Sequence, residues 1–126
     1  MATRLDTAPN YKEVRSIAAP SADSTTLTLA NFPLADAFDP RKADEILLYW
    51  YATGDDPSHW VIFDILQYDG ARSLWITGTR SAQLPPSTVA RLEVHRSNLV
   101  TVRIQDLSAT GATNMSIRAA LVEAAY

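Results

Sequence analysis

Apolar residues are concentrated between residues 45 and 79, in runs of strand length that predict three successive β-strands joined by two turns. The pair Asp69 and Gly70 lies between runs rich in β-branched and aromatic residues. Such a pair indicates a tight hairpin in which both central residues have positive φ. This turn fixes the register of the last two strands and places Asp64 opposite Trp75.

The preceding turn, residues 54–58, joins the first predicted strand to the second, and a five-residue loop places Trp50 opposite Ile62. One face of the predicted sheet then carries Leu47, Tyr49, Tyr51, Val61, Phe63, Ile65, Leu74 and Ile76. The other face carries Ile46, Leu48, Trp50, Trp60, Ile62, Leu66, Tyr68 and Trp75. An antiparallel sheet with one side in water alternates apolar and polar residues, and this predicted sheet does not.

A sheet that is apolar on both sides needs two covers. A second sheet covers one side, and three alternatives remain for the side that carries the tryptophans: the chain's own fold, another protein molecule, or a sugar or nucleic acid stacked on the rings. Large aromatics left in water would exceed the apolar patch that monomers tolerate. The candidate interface or ligand face therefore consists of Ile46, Leu48, Trp50, Trp60, Ile62, Asp64, Leu66, Tyr68 and Trp75.

Asp64 is a carboxylate in the middle of this apolar face, where it must be paired, solvated or neutral. In a structural role, we expect it to meet Arg72, Arg80 or an arginine of a neighbouring protomer. In a functional role, it would accept hydrogen bonds from a sugar stacked on Trp60 or Trp75. Both alternatives stay open at this point.

The chain before this region divides into an arm and a strand. Residues 1–22 are predicted to form an extended arm, in which Tyr11–Ala18 adds an edge strand to a neighbour or to its own sheet. Ser24–Ala30 alternates strictly and predicts a strand with Leu27 and Leu29 inward. A long connection with one helical turn follows over residues 31–43.

The chain after residue 79 predicts an ordinary hairpin and a final strand. A three-residue loop at 96–98 sets Ala90, Leu92 and Val94 against Ile104, Val102 and Val100. The same register leaves a polar face of Arg91, Glu93, Thr101 and Arg103. The final strand, Asn114–Ala124, turns Met115, Ile117, Ala119 and Leu121 to one side.

These elements predict an all-β fold with about eight strands, arranged as an antiparallel two-sheet β-sandwich or jelly roll. Residues 23–126 form a single domain after the arm. A chain of 126 residues is long enough for one core without disulfides, and it has no cysteine to form them. The lack of cysteine fits a reducing compartment or a virion.

Charge and hydropathy disfavour two classes of partner. The net charge of −3 and the scattered cations argue against nucleic-acid binding, which depends on clustered Lys and Arg. The sequence shows neither a signal peptide nor an apolar run long enough to cross a membrane.

The sequence offers little catalytic chemistry. His59 and His95 lie at turn boundaries of different hairpins, and the acidic residues Asp55 and Asp56 lack calcium-loop spacing. Nucleophile, phosphate-loop and zinc-protease motifs are absent from the sequence. We therefore expect no enzyme activity, no metal and no cofactor.

In size, lack of cysteine, Ala- and Thr-rich strands and a loose leading arm, the chain resembles small all-β accessory proteins of tailed-phage virions, such as capsid decoration or cement proteins. The resemblance is one of build. It implies a homo-oligomer, with a trimer favoured, that contacts a larger capsid in a virion assembled in the host cytoplasm. Outside a virion, we expect a cytoplasmic location. The alternative function is a glycan-binding jelly-roll module that uses exposed Trp and Tyr.

Overall fold

The computed structural model describes residues 12–39, 43–53, 58–94, 99–108 and 113–123. The described strands are β1 (Lys12–Ile17), β2 (Ala43–Thr53), β3 (Val61–Asp69), β4 (Leu74–Arg80), β5 (Ala90–Glu93), β6 (Val100–Leu107) and β7 (Thr113–Glu123), and Leu34–Asp36 forms one turn of 3-10 helix. All strand pairs are antiparallel, in a four-stranded sheet of order β1-β7-β2-β5 and a three-stranded sheet of order β4-β3-β6. The predicted all-β class with two antiparallel sheets is confirmed.

The strands β2 and β3 lie in different sheets, so the predicted pairing of these strands is wrong. β2 pairs with β7 along nearly its whole length and with β5 on its other side. The eleven-residue β7 offers β2 a longer ladder than the nine-residue β3 could. Although they lie in different sheets, β2 and β3 both contribute apolar side chains to one hydrophobic cluster.

The two sheets share one hydrophobic interior. From β2 and β3 it contains Ile46, Leu48, Trp50, Val61, Phe63 and Ile65, and all six are fully buried. The Trp50 Nε1–H donates to the Leu84 carbonyl at 2.9 Å, which satisfies the polar atom of the indole inside the interior. Trp50 and Phe63 were predicted on opposite faces of one sheet, and this assignment is wrong.

The predicted hairpin between β5 and β6 is also wrong, because these strands belong to different sheets. The predicted loop residues 96–98 lie outside the described residues. The apolar side of each strand is nevertheless as expected: Val94, Val100, Val102 and Ile104 lie in the shared interior, and Ala90 and Leu92 pack against it. The pattern identified the buried side of each strand and not its partner.

The outer face of the three-stranded sheet is covered by residues 23–38, which we call the strap. The predicted strand Ser24–Ala30 is wrong, because the strap makes only a single bridge there, between Thr28 and Leu74. The Thr28 carbonyl accepts hydrogen bonds from the N–H groups of Asn31 and Phe32, so the chain turns before a ladder can extend. Leu27 and Leu29 face inward as expected, onto a second apolar cluster around Trp75.

The two ends of the described chain meet in the four-stranded sheet. Residues 12–17 of the predicted arm form β1, which pairs with β7, and Val14 lies in the shared interior. Residues 1–11 lie outside the described residues. In β7, Met115, Ile117, Ala119 and Leu121 face the interior, which confirms the predicted final strand.

The turn after Asp69 differs from the predicted tight hairpin. Asp69 pairs with Leu74, so the loop has four residues, Gly70 to Ser73. The Asp69 carboxylate accepts the N–H groups of Ala71 and Arg72 at 3.1 and 3.3 Å, an Asx turn that holds the loop. The residue with positive φ is Ser73, at 54°, rather than Asp69 or Gly70.

We therefore expect the substitution Gly70→Ala to raise the free energy of unfolding by about 0.4–1 kcal/mol, because alanine restricts the unfolded chain and the φ of Gly70 lies outside the left-handed range. An added Cβ would lie 3.5 Å from Tyr68 Cε2, an ordinary contact. Urea denaturation measures the change. Gly78→Ala is the control: its Cβ would lie 3.1 Å from the Ile65 carbonyl oxygen, and we expect a loss of stability. A loss of similar size at Gly70 would contradict this turn.

Candidate functional site

The nine residues predicted to form one aromatic face lie in three different surroundings. Ile46, Leu48 and Trp50 are enclosed between the sheets. Leu66, Tyr68 and Trp75 lie in the cluster beneath the strap, with Asp64 buried on the same side of β3. Trp60 and Ile62 are partly buried. The predicted single face does not exist, because it was built on a pairing of β2 with β3.

Trp75 is 1% exposed. Its Nε1–H donates to the Phe32 carbonyl of the strap at 2.8 Å, and its ring contacts Tyr68 with centroids 5.4 Å apart. Of the three tryptophans, Trp50 and Trp75 are therefore closed to an external ligand. The strap covers the second apolar side. Of the three alternatives for this cover, the structure therefore shows the one supplied by the chain's own fold.

Asp64 is fully buried and bound by two arginines. Arg80 Nε donates to Oδ1 at 2.7 Å, and Arg103 Nη1 donates to Oδ2 at 2.8 Å. The hydrogen bond to Asp64, followed by its charge, raises the pKa of Arg80 above the ordinary value. Arg72, another predicted partner, pairs with Asp69 instead. The Asp64 carboxylate is therefore paired with two arginines in the protein interior and is not exposed to solvent.

Arg103 links the buried carboxylate to the strap. Its Nε donates to the Ser24 carbonyl at 2.9 Å, and its side chain is 8% exposed. One residue earlier, Asp23 accepts the Ile104 N–H at 2.7 Å and also pairs with Arg15 of β1. The expectation that Arg103 and Thr101 lie on a wet face is wrong, because the strap covers them.

The outer side of the four-stranded sheet carries a different set of side chains. We call it the tyrosine face, and its residues are Glu13, Leu47, Tyr49, Tyr51, Arg91, Ser116 and Arg118. The β2–β7 register places Arg118 beside Tyr49 and Ser116 beside Tyr51, and β1 places Glu13 beside Arg118. Tyr51 is 36% exposed and the Arg91 side chain 61% exposed, so this face reaches solvent at these two residues, whereas Leu47 and Ser116 are buried.

The centre of the tyrosine face is a connected network. The rings of Tyr49 and Tyr51 stack with centroids 6.1 Å apart, and the Arg118 guanidinium lies over Tyr51 at 5.9 Å. Ser116 Oγ donates to Glu13 at 2.5 Å, and Arg118 Nη2 lies 3.4 Å from the same carboxylate oxygen. Hydrogen bonds, first with Ser116 and then with Arg118, lower the pKa of Tyr51.

The Tyr51 ring already has contacts within the chain. A sugar ring stacks on an open aromatic face, but Tyr51 already stacks against Tyr49 and carries Arg118 over its ring. The face combines tyrosine, arginine and carboxylate groups, which can form hydrogen bonds and ion pairs.

The sequence prediction placed Tyr49 and Tyr51 in the interior and so missed this face. A usable signal was present in the final strand, where Ser116 and Arg118 are polar and alternate with buried residues. Their polarity marks the outer side of β7. It could not reveal that β2 is the neighbour of β7, which is what brings the tyrosines to the same side.

Other candidate chemistry is sparse in the described residues. Asp44, Glu45, Glu93 and Val94 line a shallow pocket, yet no group of His, Cys, Asp and Glu in the described ranges is arranged to hold a metal ion. His59 is partly buried, and its Nδ1 has no hydrogen-bond partner. His95, Asp55 and Asp56 lie outside the described residues.

Comparison of the chain with protein-family models finds no matching family, and comparisons with curated proteins and with solved structures find no significant match. Within the described ranges, no helix has the length and apolar character needed to cross a membrane.

We expect Arg103→Met to lower the free energy of unfolding by about 3 kcal/mol, because it removes a partner of a buried carboxylate and leaves the Ser24 carbonyl without its donor. Arg80→Met should cost clearly less, since the Arg80 side chain is half exposed. The double variant Asp64→Leu/Arg103→Met should recover most of the loss, because it removes both buried charges. Urea denaturation measures these changes. Equal losses of unfolding free energy in the two single variants would contradict the role of Arg103 as the buried partner of Asp64.

Proposed function

We propose that the protein is a non-catalytic structural or assembly protein that works through protein–protein contact at the tyrosine face. The observation that carries the proposal is the Tyr49–Tyr51–Arg118 group on an outer sheet face that reaches solvent. Tyrosine and arginine are enriched where interfaces concentrate their binding energy, and charged groups at the margin are typical of an interface rim. Glu13, Glu45 and Arg91 provide such a margin.

The architecture supports a rigid platform for this contact. The shared interior of the two sheets supports the β-sandwich within the predicted all-β class, with the strap as a further layer over one sheet. In being small, cysteine-free and all-β, the chain resembles the virion accessory proteins of tailed phages. We propose that setting, a decoration or cement protein on a larger capsid, as the context of the assembly role.

The state of Asp64 supports a role without catalysis. The Asp64 carboxylate is bound by Arg80 and Arg103 and lies beneath the strap. A general base needs a free acceptor within reach of its substrate. The alternative of a glycan-binding module loses support too, because Trp50 and Trp75 are buried.

We expect sedimentation velocity on the purified chain to show an oligomer that dissociates on dilution. Tyr51→Ser should shift the equilibrium toward monomer, because it removes the exposed ring from the proposed contact. Ile76→Ser is the matched control: Ile76 is 38% exposed, close to the 36% of Tyr51, but lies on β4. A monomer at every concentration would contradict self-association, and equal effects of the two variants would contradict the role of the tyrosine face.

A further inference from the structure

We infer that residues 25–37 of the strap open as a unit while the two sheets stay folded, and that Trp75 is the latch that holds this segment closed. We call the segment the lid. The inference goes beyond the proposed function and does not depend on it. Three features of the described residues carry it: the anchors at the two ends of the lid, the hydrogen bonds within it, and its contacts with Trp75.

The lid is anchored to β6 at both of its ends. Before it, the Asp23 N–H donates to the Ile104 carbonyl at 2.9 Å, and the Asp23 carboxylate accepts the Ile104 N–H at 2.7 Å. After it, Phe38 exchanges two hydrogen bonds with Val100, and its side chain lies in the shared interior. Val100 and Ile104 are roughly 13 Å apart along one strand. The lid is therefore a loop whose fixed ends are close together, as in an Ω-loop.

The lid keeps its shape through hydrogen bonds of its own. The Thr28 carbonyl accepts the N–H groups of Asn31 and Phe32 at 3.2 and 3.0 Å. The Asn31 side-chain amide donates to the Thr26 carbonyl at 2.9 Å, and the turn of 3-10 helix at Leu34–Asp36 follows. Because these bonds close within the segment, they persist when it leaves the sheet. Movement as one unit is thus favoured over unravelling residue by residue.

The contacts between the lid and the sheet centre on Trp75. Its backbone N–H donates to the Leu27 carbonyl at 2.9 Å, and its indole Nε1–H donates to the Phe32 carbonyl at 2.8 Å. The structure describes every residue of the lid, and Phe32 alone is buried, while Leu27, Leu29 and Ala37 are partly buried. A segment with so little buried apolar surface opens at a lower free energy than the interior between the sheets.

Opening of the lid exposes an aromatic surface that is hidden in the closed state. Leu66 and Trp75 are buried there, and the ring of Tyr68 contacts that of Trp75. The buried Asp64 keeps its partners, because both of its arginines belong to the sheet and not to the lid. The lid is therefore a conformational device that controls the exposure of apolar surface on the outer side of the three-stranded sheet.

The two buried tryptophans provide a matched pair of probes. The Trp50 indole N–H donates to the Leu84 carbonyl at 2.9 Å, and Leu84 is held by two backbone hydrogen bonds to Val61. The Trp75 indole N–H donates instead to a carbonyl of the lid. We expect the Trp75 indole proton to exchange with deuterium about a hundredfold faster than that of Trp50, with little dependence on low concentrations of urea. NMR spectroscopy of an isotope-labelled sample follows both protons.

Backbone protons locate the points about which the lid moves. The Trp75 backbone N–H should exchange together with its indole N–H, because both donate to the lid. The N–H groups of Val100 and Ile104 donate to residues outside the lid, so they should exchange as slowly as those of β2. Exchange of Val100 and Ile104 at the rate of Trp75 would overturn the anchors.

A disulfide across the lid tests whether exchange at Trp75 requires opening. Thr28 and Leu74 form the bridge between the lid and β4, and opposite residues in such a bridge lie about 4.5–5.5 Å apart, within disulfide range. The chain has no cysteine, so Thr28→Cys/Leu74→Cys introduces the only two thiols. Oxidation should slow the exchange of the Trp75 indole proton by about tenfold or more. The reduced form of the same variant is the matched control.

Two single substitutions separate opening of the lid from unfolding of the whole chain. Phe32→Leu weakens the contact between the lid and the sheet, and should speed exchange of the Trp75 indole proton by about fivefold or more. Ile46 is fully buried between the sheets, which stay folded when the lid opens. Ile46→Val should therefore speed exchange at Trp50 by about two- to tenfold and leave exchange at Trp75 unchanged.

The outcomes are distinct. Fast exchange at Trp75 that is insensitive to urea and to Ile46→Val, and that slows when the disulfide forms, is the expected result. Equal exchange rates at Trp50 and Trp75, with the same urea dependence, would overturn the lid, because the strap would then open only when the whole chain unfolds. Neither result depends on the oligomeric state, so the lid and the proposed assembly role stand or fail separately.

Discussion

The hydrophobic interior to which β2 and β3 both contribute is the feature on which the rest of the structure depends. Ile46, Leu48 and Trp50 of β2 bury their side chains with Val61, Phe63 and Ile65 of β3. The only polar atom of the large indole is satisfied by a backbone carbonyl, so the interior holds a tryptophan without an unpaired donor. Each strand turns one apolar side toward this interior. The two sheets differ in what lies on their other sides.

On the three-stranded sheet, the chain covers its own outer face. The strap has little regular structure and is held by backbone hydrogen bonds, by the Trp75 indole and by Arg103. Beneath it lies a buried carboxylate with two arginines, an arrangement that is costly to desolvate and costly to break. Arg103 thus ties the position of the strap to the pairing of Asp64. The four-stranded sheet instead leaves tyrosines and arginines toward solvent, and the proposed assembly role rests on this asymmetry.

Patterning predicted which side of each strand is buried more reliably than which strands are neighbours. The final strand and the inward side of β5 and β6 were predicted correctly, because alternation is a local property of the sequence. The partner of β2 was not predicted, since β3 and β7 are both apolar enough to pair with it, and the difference lies in the length of the ladder. The assignment of Trp50 and Trp75 to one exposed face followed from that single error.

The turn at Asp69 and the state of Asp64 show two further limits. An Asp-Gly pair favours a two-residue hairpin, but here the Asp69 carboxylate holds a four-residue loop and moves the positive φ to Ser73. Arg80 was predicted from the sequence as a partner of Asp64, because a buried carboxylate is commonly paired with an opposite charge on a neighbouring strand. It placed Arg103 in solvent, because nothing in the local pattern of residues 99–108 indicates that a segment some 80 residues earlier lies over it.

The central claim, that β2 and β3 belong to different sheets and contribute to one interior, is tested most directly by nuclear Overhauser effects between backbone protons in an isotope-labelled sample. The account predicts cross-strand Hα contacts along the Leu48–Ala119 and Phe63–Ile104 pairs, with side-chain contacts between Trp50 and the β3 residues of the interior. Cross-strand Hα contacts between Tyr51 and Val61, as a hairpin of β2 with β3 would give, would contradict it.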